Sequence, residues 1–186
     1  SNASCTTNCI ALVAQILVSK FGVDKAMMTT IHSYTADQAL VDGPHKKDPR
    51  RGRSAAQNIV PTSTGAAIAT AEVIPELRGL FDGLAVRVPT PIVSLSDFTF
   101  LLKKDVTVKQ INNVLITASK SKQYKGILGV TDEPVVSSDF IGDERSSIVD
   151  LSLTKVVGGN MVKIVAWYDN EWGYSTRLVE MIDQIR

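Results

Sequence analysis

SSIVDLSLTKVVGGNMVKIVAWY, residues 146–168, carries two runs of apolar and β-branched residues separated by Gly158-Gly159-Asn160. Such side chains suit a pleated, half-buried backbone, and the glycines supply the backbone freedom that a tight reversal needs. The stretch predicts an antiparallel hairpin of two strands, near Ser146 to Val157 and Met161 to Tyr168. Upstream, GLAVRVPTPIVSLSDFTFLLKK (83–104) alternates with period two and breaks only at Pro89 and Pro91, which gives one bent strand or two successive ones. KAMMTTIHSY (25–34) has the composition of a further strand ending near His32.

Four segments have helical spacing instead. From Thr6 to Lys20, Cys9, Ile10, Leu12, Val13, Ile16 and Leu17 form one stripe, with Thr6, Thr7 and Asn8 marking the start and Gly22 the end. PTSTGAAIATAEVIPEL (61–77) reads as a glycine turn into a short Ala-rich helix that stops at Pro75. Val108, Ile111, Val114, Leu115 and Ala118 make a helix capped by Thr107, and a last helix spans Ser175 to Ile185 with Ser175 as N-cap. Strands outnumber helices and hairpin links predominate in this reading. The expectation is therefore an α+β fold, a mixed, largely antiparallel sheet with helices packed on one face. Residues 35–58 are long, basic and punctuated by Gly43-Pro44, Pro49 and Gly52, so they are expected to form an extended surface loop with a function of its own.

The 186 residues fit one large domain. Hydrophobic residues make up 44% and charged residues 21%, which excludes disordered, collagenous and disulfide-stapled classes. Twenty Lys and Arg against nineteen Asp and Glu leave a net charge of +1, so no global field favours nucleic acid or membrane. No run approaches the roughly 18 apolar residues of a membrane span, and the opening lacks the pattern of a signal peptide. A cytoplasmic location follows as the expectation. Lys46, Lys47, Arg50, Arg51 and Arg53 form a basic stretch without interleaved aromatics, which argues against a dedicated nucleic-acid site. GxGxxG, P-loop, CxxC and HExxH patterns are all missing, so no metal site is expected and no nucleotide cradle.

Cys5 falls in the first turn of the first helix, where free N–H groups and the positive dipole end can lower a thiol pKa. Helix position leaves two readings equally open: a thiolate nucleophile, or a small buried residue near a cap. Cys9, one turn deeper, reads as core filler. Two cysteines four apart on one helix make a poor disulfide, so both are expected as free thiols. His32 can pair with a thiol if the fold brings the two together, although a strand histidine is more often a hydrogen-bonded core residue. His45 in the basic loop is expected to be solvated. Arg87 interrupts an apolar strand, where it is either on the exposed face or an anion ligand. Thr62-Ser63-Thr64-Gly65 precedes a helix and suits either a capping turn or a phosphate. WYDNEWGY (167–174) gathers both tryptophans and two of the four tyrosines, with Asp169, Asn170 and Glu171 between them.

SCTTNC, TTIHSYT, PTSTGAA, VRVPTP, VSSDF and WYDNEWGYS, in this order, closely resemble the catalytic domain of the phosphorylating glyceraldehyde-3-phosphate dehydrogenases, over essentially the whole chain from Ser4. Leu12 and Ile68 depart from that family's usual Pro and Lys. The resemblance implies a catalytic domain over 4–186, with residues 35–58 as its S-loop, and an N-terminal Rossmann NAD-binding domain that this chain lacks. Residues 1–3 are then either a tag remnant or native. It further implies that Cys5 is the nucleophile and His32 the base. Thr35 and Arg87 would serve the substrate phosphate. Ser4, Thr6, Thr64, Gly65 and, less directly, Arg51 would serve inorganic phosphate. Asn170 and Tyr174 would lie at the nicotinamide. The cofactor implied is NAD rather than NADP, from Gly43-Pro44. The partners implied are glyceraldehyde 3-phosphate and inorganic phosphate, in a homotetramer of the full-length protein, and the domain by itself would be inactive. Erythrose-4-phosphate dehydrogenase is the near alternative. A cysteine hydrolase and a non-catalytic interaction module are the distant ones.

Overall fold

Ser4 stands in extended backbone, and its Oγ accepts from the Thr7 N–H at 3.0 Å, which starts the helix α1 at Cys5 and carries it to Phe21. Gly22, at φ +68, ends it and turns the chain straight into the strand β1, Val23–Ser33. The structure, a computed structural model, describes residues 2–185. Beyond β1 the chain forms β2 (Val60–Ser63), α2 (Ala66–Val73), β3 (Phe81–Val88), β4 (Ser94–Leu102) and α3 (Val108–Lys120). It ends with β5 (Leu128–Thr131), β6 (Ser147–Val157), β7 (Met161–Tyr168) and α4 (Trp172–Ile185).

The seven strands form one sheet in the order β2-β3-β1-β4-β7-β6-β5. β1 pairs parallel with β3, and β5 with β6, while the other neighbours run antiparallel. α1 lies against β1, β4, β6 and β7, touching α2, α3 and α4 on its flanks, so the helices form a layer on one face. The core between the layers joins Ile10, Val13, Ile16 and Leu17 of α1 to Phe98 and Phe100 of β4 and to Val162, Ile164 and Ala166 of β7. Each such side chain contributes about 1.5–3 kcal/mol by leaving water. This is the α+β architecture expected, with a mixed and mainly antiparallel sheet.

Several details differ. The proline-interrupted stretch is two strands, and they are not neighbours, because β1 inserts between them. A single short turn, at residues 158–160, is a true hairpin link within the sheet, so hairpins do not predominate. Val60–Ser63 is a strand rather than part of a turn. It sits at the sheet edge, where Pro61 is tolerated. β5 was not expected at all; it is four residues long and pairs parallel, which no local signal announces. α4 starts at Trp172, three residues before Ser175, whose N–H bonds the Glu171 carbonyl from inside the helix. The cap is Asp169, whose Oδ1 accepts from the N–H groups of Glu171 at 2.9 Å and Trp172 at 2.8 Å. His45 is partly buried rather than fully solvated. It accepts at Nδ1 from the Asp48 N–H at 3.0 Å, and Nε2 meets the Asp37 carbonyl at 3.1 Å.

Candidate active site

β1 and β3 run parallel with His32 opposite Arg87, so both residues stand at the same end of the sheet. α1 runs back along β1 and delivers its N-terminus to that end. The result is a cavity of about 400 Å³ lined by Ser4, Cys5, Thr6, His32, Arg51, Thr64, Gly65 and Arg87, among others. A larger cavity, about 810 Å³, lies elsewhere and is mainly apolar, with Met27, Ile68, Leu80 and Leu101 in its wall. The chemistry-bearing residues converge on the smaller one.

Cys5 Sγ lies 3.5 Å from His32 Nε2. His32 is buried, and its Nδ1 is 2.7 Å from the Ser33 carbonyl, an atom that can only accept. Nδ1 therefore carries the proton, and Nε2 faces Cys5 as a free base. Arg87 Nη1 is also 3.1 Å from Nδ1, but a protonated Nδ1 cannot accept. That proximity is a contact, and Arg87 instead donates to the Ser33 carbonyl at 3.1 Å and to Thr35 Oγ1 at 3.2 Å.

Burial pushes the Cys5 thiol above its ordinary pKa, against the opposing pull of the Thr6 side chain and N–H, the Arg87 guanidinium and the N–H of Cys5 itself. Burial likewise pushes His32 down to about 4, with Arg87 acting in the same direction and the Ser33 carbonyl against it. Helix position left open both a lowered thiol pKa and a small buried residue near the cap. The structure gives the direction as upward, because Cys5 is mostly withdrawn from water. The resting pair is thus thiol and imidazole, and the thiolate forms by handing its proton across 3.5 Å to Nε2. Cys9 is fully buried, donates to Ser147 Oγ at 3.5 Å and is pushed up to about 12 by burial. It is inert filler, and both cysteines are free thiols.

Arg87 has no carboxylate partner within the described residues, and its Nε is buried without a hydrogen bond. Burial and the neighbouring Arg51 both disfavour its charge. A desolvated cation of this kind calls for an anion. Arg51 lies in the same wall but is largely committed: Nε donates to Thr62 Oγ1 at 2.8 Å, Nη2 to the Ser63 carbonyl at 3.1 Å and Nη1 to Asp37. Arg53 similarly pairs with Asp42 at 2.9 Å. Two of the five basic side chains of the loop are thereby neutralised, which leaves no continuous basic stripe. Ser4 Oγ is 2.7 Å from Thr7 Oγ1, and Thr64 Oγ1 accepts from the Ala66 N–H at 3.2 Å, so both hydroxyls sit at helix starts beside the thiol.

Asn170 is buried, and its Oδ1 accepts from Ser33 Oγ at 2.9 Å and Ser94 Oγ at 3.0 Å. The two bonds fix the amide with Nδ2 as its remaining donor. The approach to Ser94 is strained, since Val93 is a β-branched residue at φ +69. Tyr174 lies apart from the thiol, donating to the Asn2 carbonyl at 3.1 Å. Two residues under the site escaped sequence reasoning. Tyr168 and Thr30 are buried beneath Cys5 and His32 and bond each other at 2.7 Å; nothing in their own strands set these two hydroxyls apart in the sequence. No helix is long and apolar enough to cross a membrane, and no cluster of three or more metal-ligating side chains occurs, among the described residues.

A family model described as glyceraldehyde 3-phosphate dehydrogenase, C-terminal domain, matches residues 4–170. The chain is 52% identical over 185 residues to the glyceraldehyde-3-phosphate dehydrogenase of Zymomonas mobilis, covering 100% of this chain and 55% of that protein. It is 55% identical over 185 residues to that of Priestia megaterium, again 100% of this chain and 55% of the relative. With the glyceraldehyde-3-phosphate dehydrogenase 1 of Bacillus cereus it shares 56% over 181 residues, 97% of this chain and 54% of the relative. The chain thus spans about half the length of the curated relatives it matches.

Proposed function

Because the chain belongs to the glyceraldehyde 3-phosphate dehydrogenase C-terminal domain family, we propose that it is the catalytic half of a phosphorylating, NAD-dependent enzyme that converts glyceraldehyde 3-phosphate to 1,3-bisphosphoglycerate. The observation that carries this reading is the pairing of Cys5 Sγ with His32 Nε2 at 3.5 Å beside Arg87, whose Nε is buried without a hydrogen bond among the described residues.

His32 takes the Cys5 proton, and the thiolate attacks the aldehyde carbon, forming a C–S bond and a thiohemiacetal. The developing oxyanion is met by protonated His32 and the Cys5 N–H at the helix start. His32 gives its proton to that oxyanion and takes it back as the thiohemiacetal is oxidised to a thioester on Cys5; NAD, when bound, would supply the hydride acceptor for this oxidation. Asn170 fits the nicotinamide carboxamide, since Ser33 and Ser94 hold its Oδ1 and leave Nδ2 to donate. Tyr174 would pack nearby. A phosphate oxygen then attacks the thioester carbon, the C–S bond breaks, and the acyl phosphate departs.

Two anions must be held. Arg87 and Thr35, joined at 3.2 Å, suit the substrate phosphate. Ser4, Thr6, Thr64 and Gly65 suit the attacking phosphate, with Arg51 holding the wall behind them. In this reading a Rossmann domain supplies most of the NAD contacts, the full-length protein is a cytoplasmic homotetramer, and the 186-residue chain alone turns over no substrate. The test is acyl release in the full-length protein. Release that requires inorganic phosphate supports the assignment, and hydrolysis at the same rate without phosphate overturns it in favour of a cysteine hydrolase.

A further inference from the structure

Under the Cys5–His32 pair runs a chain of three buried hydroxyls. Thr6 Oγ1 in α1 is 2.9 Å from the Tyr168 hydroxyl in β7, which is 2.7 Å from Thr30 Oγ1 in β1. Thr30 donates onward to the Leu95 carbonyl of β4 at 3.2 Å. Thr6 Oγ1 in turn lies 4.0 Å from Cys5 Sγ, and the edge of the Tyr168 ring meets His32 with centroids 6.0 Å apart at 75°. Three elements of secondary structure thus meet at one phenol that no step described above uses, and Thr30 extends the chain to a fourth, β4.

The protons can be counted. Three hydroxyls hold three protons, and the three bonds to Tyr168, Thr30 and Leu95 use all of them. With Thr30 donating to Leu95, Tyr168 must donate to Thr30 and Thr6 to Tyr168, so Thr6 shows only lone pairs to Cys5. That order suits a thiol. For Thr6 to donate to a thiolate, Tyr168 must turn its proton to Thr6, Thr30 must turn to Tyr168, and the bond to Leu95 is given up. Only a group that both donates and accepts at one oxygen permits the reversal.

We propose that Tyr168 is a positioning residue for Cys5: it holds the first turn of α1 over β1 and reverses the order of the Thr6–Tyr168–Thr30 chain when the sulfur becomes an anion. Burial raises the Tyr168 pKa far above the working range, so the phenol stays neutral and keeps its proton for this purpose. The other charged or titratable groups facing Cys5 are His32 from β1, Arg87 from β3 and Cys9 on its own helix; Arg51 stands in the cavity wall.

Both ends of the chain make the same prediction, because removing either hydroxyl costs the thiol state more than the thiolate state. In Tyr168→Phe the thiol order loses two bonds, Thr6 to Tyr168 and Tyr168 to Thr30, whereas the thiolate order keeps the Thr6 donation to sulfur, regains the Thr30 bond to Leu95 and loses one bond net. In Thr30→Val the thiol order likewise loses two bonds and the thiolate order one, and the phenol is left with Thr6 as its acceptor.

The experiment is the pH profile of iodoacetamide alkylation of Cys5 in the chain without substrate, with Cys9 as internal reference. Tyr168→Phe and Thr30→Val should each accelerate alkylation at neutral pH by about threefold to tenfold, in line with the worth of one hydrogen bond, while the plateau at high pH stays unchanged. Superimposable profiles, slower alkylation in either variant, or a raised plateau in place of a shifted midpoint overturn the proposal; loss of fold in one variant leaves the sign in the other to decide. The proposal rests on Cys5 being the nucleophile. Wild-type alkylation of Cys5 no faster than Cys9 defeats that reading itself, whereas a fast wild-type Cys5 with unmoved variants defeats only the role of Tyr168.

Discussion

Replacing His32 with Asn should remove a pH dependence of stability whose sign and size follow from the site. His32 is held neutral in the folded chain, with its pKa down to about 4 against an ordinary 6.5. Between those values the unfolded chain binds a proton that the folded chain refuses, so stability must fall as pH falls through this window. Two and a half units at 1.36 kcal/mol each give about 3 kcal/mol in all, of which roughly 2.5 kcal/mol appears between pH 7.5 and 4.5. With a urea slope of about 2 kcal/mol per molar, the midpoint should drop by about 1 M. The window is clean on both sides. Asp37, Asp42, Asp48 and Asp143 have lowered pKa values, so their contribution holds above the ordinary carboxylate value of 3.8 and fades only below it. Cys5 has a raised pKa, so its effect begins only as pH climbs past the ordinary thiol value of 9.0. Urea midpoints of wild type and His32→Asn, measured from pH 4.5 to 7.5, should therefore diverge in slope. Parallel curves would refute the reasoning. A wild type that gains stability on acidification would refute it more pointedly, because that is the sign of a His32 whose pKa is raised rather than lowered by folding.

Arg87→Met removes a desolvated cation without leaving a buried carboxylate behind among the described residues, so the denaturation midpoint should stay level or rise while phosphate protection of Cys5 against alkylation weakens about tenfold or more. Arg51→Met cuts the ties to Asp37, Thr62 and the Ser63 carbonyl, and limited proteolysis should then cleave within residues 35–58 several times faster at an almost unchanged global midpoint. Thr107→Ala breaks a capping box with Gln110 far from the site, at a cost of about 1 kcal/mol in denaturation and with no change in Cys5 alkylation.

What was legible in the sequence was local. α1, α3 and the β6–β7 hairpin carry their own periodicity and their own end signals, and their bounds fall within a residue or two of the expectation. β2 and β5 are four-residue strands whose partners lie far along the chain, so nothing in their own residues distinguishes them from turns. Ser175 looked like a cap because it is a serine ahead of an apolar stripe, but Asp169 reaches the N–H groups first and starts the helix three residues earlier. Residue types pointed to Cys5, His32 and Arg87 separately, whereas the joining of the three belongs to topology. The sense of the Cys5 pKa shift stayed open for the same reason, since a helix start is visible in sequence and the burial of that start is not.

The meeting of Cys5 with His32 follows from two lengths. α1 has 17 residues and spans about 25 Å; the ten residues of β1 from Val23 to His32 span about 33 Å. Gly22 reverses the chain between them, so the start of the helix is carried back toward the end of the strand, and the difference is taken up by the turn and the oblique packing of helix on sheet. Parallel pairing of β1 with β3 then sets Arg87 level with His32 without any contact between neighbours in sequence. One residue more in α1 would turn Cys5 by about 100° around the helix, away from Nε2, because 3.6 residues make one turn. The thiol, the base and the anion ligand are thus held by the register of helix on strand and strand on strand. It is also why the Tyr168 hydroxyl, which ties α1 to β1 through Thr6 and Thr30, stands at the point where a small slip between those elements would separate sulfur from nitrogen.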